Sequence, residues 1–117
     1  MGFHCEIENK DDNTLVHLEG DLDLYHAEMF RNDIKQAIDS GARKIIMIFD
    51  WITYIDSSGI GSIVACLQHM RKVKGNICLA GLRDTPLQVF ALTNIDRLFK
   101  IYPDTDSALA ASKEENA

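Results

Sequence analysis

The sequence predicts a single α/β domain: a mainly parallel sheet of about four or five strands, an antiparallel hairpin at its N-terminal edge, and about four helices. Three observations lead there. Apolar spacing near two at the N-terminus gives way to helical spacing after Asp23. From that point strand-like and helix-like segments alternate, the order that makes right-handed crossovers and parallel pairing. Two strand candidates, KIIMIF and NICLAG, are almost wholly apolar, as strands covered on both faces are.

Phe3, Cys5 and Ile7 alternate with polar neighbours, and Leu15, Val16 and Leu18 do so less strictly. The turn-forming run ENKDDN between them predicts a hairpin, with Gly20 ending its second strand. Ala27, Phe30, Ile34, Ala37 and Ile38 then share one helical face. Asp23 is the expected N-cap of that helix and Ser40-Gly41 its stop. Lys44–Phe49 is the first central strand, and residues 50–56 read as a loop. Ile60, Ile63, Val64, Leu67 and Met70 line a second helix with Gly75 at C′. After NICLAG, a third helix is expected with Thr85 as N-cap, Pro86 at the first helical position and Gln88 closing a capping box. FKIY reads as a short edge strand, DTDSALAAS as a terminal helix, and residues 113–117 as a frayed acidic end. The domain is expected to span residues 1–117, without repeats or linkers.

With 117 residues, 46% of them hydrophobic and 26% charged, the chain is long enough for one core. Its longest apolar run, Ile45 to Phe49, is far short of a membrane span. The segment MGFHCEIENK has no basic n-region or apolar h-region, so an export signal is not expected. Cys5, Cys66 and Cys78 are odd in number and widely spaced, which predicts reduced thiols in a cytoplasmic protein. A net charge of −6 disfavours phosphate backbones and anionic lipid and favours partners with basic faces. The cluster RKVK, Arg71 to Lys74, reads as the solvated end of the second helix.

No phosphate-binding glycine motif occurs, so no cofactor is expected. His4, His17, His26 and His69 lack metal-ligand spacing, and no metal site is expected. Ser57 and Ser58 are outside G-x-S-x-G and have no identifiable His–acid partners, which argues against a hydrolase. Asp11-Asp12, Asp56 and Lys100 mimic the residue set of a receiver domain. That reading fails on topology, because a hairpin strand follows the acidic pair where a receiver has a helix.

The remaining feature is Asp56-Ser57-Ser58-Gly59, where a strand gives way to a helix. The Ser57 hydroxyl is expected to cap that helix, a contribution of about 1 kcal/mol. The same position, at the positive end of a helix, tolerates a phosphoryl group without unfolding the domain. Gly59 and Gly61 leave the first turn almost bare, for tight packing or for close approach of another backbone. Trp51 and Tyr54 are expected to pack beneath the loop, with an interface role the less favoured reading.

Over its whole length the chain resembles a stand-alone STAS domain of the bacterial anti-sigma factor antagonist family. LEGDLDLYHAEMF is similar to that family's strand-to-helix signature, YIDSSGIGSIV to its phosphorylation loop, and DTPLQVFALTNIDRLFKIYPD to its closing segment. The resemblance implies that Ser57 is the phospho-acceptor, with Ser58 the second choice. It implies a partner surface built from Asp21, Asp23, Asp56, Ser57, Ser58, Gly59 and Gly61. The implied partner is an anti-sigma factor that is also a serine kinase and brings its own ATP and Mg²⁺. The unmodified protein binds it and frees the sigma factor; phosphorylation abolishes binding until a serine phosphatase reverses it. Asp23 doubles as a cap in this reading, and Asp21 is either a contact or merely solvated. An accessory STAS protein of a transporter or other signalling complex is the alternative, and a small enzyme using the serine pair is a third.

Overall fold

The computed structural model describes residues 2–116, with side chains through Glu114. The chain runs β1 (Phe3–Lys10), β2 (Asn13–Leu22), α1 (Ala27–Asp39), β3 (Lys44–Ile55), α2 (Ser57–Lys72), β4 (Asn76–Ala80), α3 (Asp84–Leu92), a 3₁₀ turn (Ile95–Leu98), β5 (Lys100–Tyr102) and α4 (Thr105–Asn116). The five strands lie in chain order, β1 antiparallel to β2 and every other pair parallel. This is the expected α/β architecture, with the hairpin at one edge and the short β5 at the other.

The hairpin turns through Asp11 and Asp12, with Asp11 in the left-handed region (φ 56°), a conformation aspartate tolerates better than most residues. Gly20 does not end β2. The strand continues to Leu22, and Gly20, at φ 94°, admits the backbone carbonyl of Gly2 into the space a Cβ would occupy.

The two faces of the sheet are covered unequally. Val16, Leu18, Ile45, Met47 and Leu79 point to a large core completed by Phe30 and Ile34 of α1, Ile63 and Met70 of α2, and Phe90 of α3. Each such side chain, fully removed from water, contributes about 1.5–3 kcal/mol. The alternate residues Leu15, Ile46, Ile48 and Ala80 form a smaller cluster under Ala108 of α4. Ser112 of α4 donates to the buried Asn13 side chain at 2.9 Å, fastening that helix to the start of β2. The segment expected to fray is helical through Asn116; Ala117 lies outside the described residues.

Helix ends depart from expectation by small, explicable steps. Lys74, not Gly75, takes the left-handed C′ position after α2 (φ 60°). Lys74 N–H bonds to Arg71 O at 3.1 Å and Gly75 N–H to Met70 O at 2.8 Å, a Schellman closure one residue early. Gly75 is needed for a different reason: a Cβ there would press on Met70 Cε and Arg43 O. At α3, Asp84 is left-handed (φ 54°) and already belongs to the helix, so Thr85 does not cap it and no side-chain hydrogen bond does.

The largest correction concerns residues 50–56. They form no loop: β3 continues unbroken to Ile55, and Asp56 alone separates it from α2. Trp51 and Tyr54 are therefore strand residues. They are 71% and 52% exposed and do not pack beneath anything. Asp11–Asp12 lies at the opposite end of β2 from Leu22, whose carbonyl accepts from Asp56 N–H, so the receiver-like residues are not assembled.

Candidate functional site

Parallel strands deliver their C-terminal ends to one edge of the domain, and there the expected site residues meet. Leu22 at the end of β2 pairs with Ile55 at the end of β3. The chain leaves the two strands side by side, into the 23–26 turn and into α2.

Asp56 organises this edge. Its backbone is extended (φ −114°, ψ −174°), and its Oδ1 accepts from Gly59 N–H at 2.9 Å, which makes it the N-cap of α2. The expected cap, Ser57, is instead the first helical residue. The reason lies upstream: because β3 stays extended through Ile55, the strand-to-helix change falls on Asp56. Asp56 Oδ2 accepts from Leu24 N–H at 3.1 Å, tying the 23–26 turn to the same carboxylate.

Freed from capping, Ser57 is exposed, whereas Ser58 is half-buried. Gly59 is buried against Leu22 O and Ile55 Cγ1, both too close to admit a Cβ, so tight packing explains it. Gly61 is exposed with nothing within 4 Å of a would-be Cβ, so the surface beside Ser57 is bare backbone. Ser62, fully buried, satisfies its hydroxyl on Gly59 O at 2.6 Å.

Asp23 does not cap α1, whose N-cap is His26, without a side-chain bond. Asp23 Oδ1 takes Tyr25 N–H at 3.0 Å and His26 Nδ1 at 2.8 Å, and its carbonyl accepts from Ala27 N–H at 2.9 Å. It shapes the turn that leads into the helix. His26 Nδ1 also lies 3.0 Å from Asp21 O, so with acceptors on both sides this nitrogen carries the proton. The ring stacks on Phe3 with centroids 5.7 Å apart. His26 holds no metal-ligand spacing in the sequence, and its i,i+3 spacing from Asp23 is the sequence signal for this turn role. Asp21 accepts from Thr53 Oγ at 3.0 Å, so it is not merely solvated.

Asp21, Asp23 and Asp56 thus fall at the same end of the sheet as the exposed Ser57, each carboxylate holding its own local partner, with Leu24 and Tyr25 exposed between them, Tyr25 87% exposed. Among the described residues no group of three His, Cys, Asp or Glu side chains is placed to hold a metal ion.

The STAS domain family model matches residues 4–108. The chain belongs to the STAS domain family. Among its curated relatives is the anti-sigma-B factor antagonist of Bacillus subtilis, 24% identical over 101 residues, 86% of this chain and 92% of that one. The anti-sigma F factor antagonist of Paenibacillus polymyxa is 27% identical over 115 residues, covering 97% and 96%. The crystal structure of the Thermotoga maritima protein TM1081 superposes with a TM-score of 0.86 at 25% identity, covering 92% of each chain. The phosphorylated form of the Bacillus cell fate determinant SpoIIAA shares the fold, with a TM-score of 0.74 at 24% identity over 93% of this chain and 99% of that one. In this STAS domain no helix among the described residues is long and apolar enough to cross a membrane.

Proposed function

We propose that this STAS domain is a phosphorylation-controlled anti-sigma factor antagonist. Unmodified, it binds an anti-sigma factor serine kinase and releases the sigma factor. Phosphorylation of Ser57 ends that binding, and a serine phosphatase restores it. The kinase supplies ATP and Mg²⁺.

The observation that carries the reading is the exposed Ser57 hydroxyl at the first position of α2, beside a carboxylate already committed to capping. A phosphoryl group there adds about −1.5 to −2 charges. The helix dipole accommodates it, so the fold persists. Asp56 next door and Asp23 across the turn make the rim acidic already, so a partner matched to the unmodified surface meets a concentrated negative charge. Repulsion and desolvation of about 3 kcal/mol would weaken binding roughly a hundredfold. Asp21, Asp23, Asp56, Ser57, Ser58, Gly59 and Gly61 form the partner surface. The bare backbone at Gly61 lets a partner approach closely, while Gly59 acts by fixing the helix on β2.

Incubation with candidate anti-sigma factor kinases from the same genome and ATP, followed by mass-spectrometric site mapping, tests the reading. Modification of Ser57, lost in Ser57→Ala, supports it. Modification confined to Ser58, or none with any such kinase, overturns it.

A further inference from the structure

The sheet face away from α1 and α2 is only partly closed. α4 covers it over Ile46, Ile48 and Ala80. Beside that helix the face of β1, β2 and β3 lies open, and His4, Glu6, Glu8, His17, Glu19 and Trp51 line a shallow depression in it.

Two irregularities in β3 place aromatic side chains on this face. Pairing passes from His17–Ile48 to Glu19–Trp51, and then from Gly20–Ile52 to Asp21–Tyr54. Each shift puts one extra residue into β3. Strict alternation from Ile48 would send Trp51 into the main core. The first bulge sends it outward instead, on the rung of Glu19, and the second does the same for Tyr54 on the rung of Asp21. Trp51 is the chain's one tryptophan, and it is 71% exposed. Folding gains nothing from an indole left in water, and bulges of this kind commonly re-aim a side chain for use.

The surroundings of the indole are acidic. His4 faces Glu19 across the β1–β2 ladder, and Glu6 faces His17. Glu8 Oε1 is paired with His17 Nε2 at 3.0 Å, whereas Glu6 and Glu19 have no ion pair among the described residues. An open aromatic face with Glu19 on its own rung and Glu6 in the same depression is complementary to a planar cation. A guanidinium stacks on the ring while its edge donors reach carboxylates; a lysine ammonium matches the carboxylates but not the plane.

We propose that this open sheet face docks a protein segment presenting arginine, with the guanidinium over Trp51, its N–H donors on Glu19, and Glu6 adding negative charge to the same depression. The site is separate from Ser57 and does not depend on its phosphorylation.

A fluorescein-labelled, tryptophan-free arginine–glycine peptide is the probe, with affinity read by anisotropy and contact read by Trp51 fluorescence. Saturable binding that changes Trp51 emission is expected, weakened about fivefold or more by Trp51→Ala and by the pair Glu6→Gln and Glu19→Gln. The pair Glu28→Gln and Asp39→Asn removes the same charge from exposed positions of α1 and is expected to leave affinity within about twofold. A lysine–glycine peptide of equal charge is expected to bind more weakly than the arginine peptide. Equal loss in both acidic pairs, equal binding of the lysine peptide, unchanged Trp51 emission or no saturable binding would each overturn the proposal. All substituted positions are exposed, and circular dichroism verifies that the variants fold.

Discussion

One carboxylate joins the 23–26 turn to the start of α2: Asp56 Oδ2 accepts from Leu24 N–H at 3.1 Å while Asp56 Oδ1 holds Gly59 N–H at 2.9 Å. Removing it strips the cap from α2 and releases Leu24 together. Asp56→Ala is expected to cost about 1–3 kcal/mol, a lost cap plus a lost charge-assisted bond. Asp56→Asn keeps one acceptor and is expected to cost less. Urea denaturation of the three proteins gives the ranking.

Gly59 and Gly61 are expected to separate cleanly. A methyl at Gly59 would strike Leu22 O and Ile55 Cγ1, so Gly59→Ala is expected to destabilise by about 1–3 kcal/mol. A methyl at Gly61 meets nothing, so Gly61→Ala is expected to stabilise by about 0.5–1 kcal/mol through helix propensity. If Gly61 gives a partner close access, the same variant loses partner affinity while gaining stability. Thermal melts and binding measured on the same samples check both.

That contrast marks how far the sequence could be read. The order of elements and the antiparallel hairpin follow from periodicity, because burial dictates where apolar residues fall, whereas the surface around Ser57 is given only by the family resemblance. The choice of Asp56 over Ser57 as cap does not follow. Both types cap well, and the decision belongs to the backbone, which stays extended until Ile55. The outward setting of Trp51 and Tyr54 does not follow either, because bulges arise from pairing with β2, which no local pattern in β3 announces. Gly59 and Gly61 look equivalent in the chain, and only the proximity of Leu22 O distinguishes them. The structural role of His26 does not follow from its lack of metal-ligand spacing, because its partners, Asp21 O and Asp23 Oδ1, converge only once the turn has formed.

Burial pushes the Cys5 and Cys66 thiols up to about 12, with Asp33 adding to the effect at Cys5 and Arg31 opposing it at Cys66. The thiolate is the reactive form, so both are expected to be nearly inert at pH 8. Against the unfolded chain, their reaction with a disulfide reagent is expected to slow by roughly two to three orders of magnitude. Stopped-flow labelling in buffer and in denaturant, with peptide mapping, measures this directly.

The Asp104 carboxyl lies below the usual carboxylate range because Ser107 donates to it through its backbone N–H, at 2.7 Å, and through its hydroxyl. With the folded value depressed, its contribution to holding α4 is present above the ordinary carboxylate pKa. It is lost as pH falls through the lower folded value. Acidification is expected to expose the first turn of α4, followed through the Ser107 amide by NMR, and Asp104→Asn is expected to flatten that response.

The central claim is that phosphate at Ser57 dismantles a binding surface without dismantling the fold. Isothermal titration calorimetry of the unmodified and Ser57-phosphorylated proteins against the anti-sigma factor kinase that modifies Ser57 tests it most directly. The account predicts roughly hundredfold weaker binding after phosphorylation, with the far-ultraviolet circular dichroism unchanged. Equal affinity of the two forms, or loss of binding accompanied by unfolding, would contradict it.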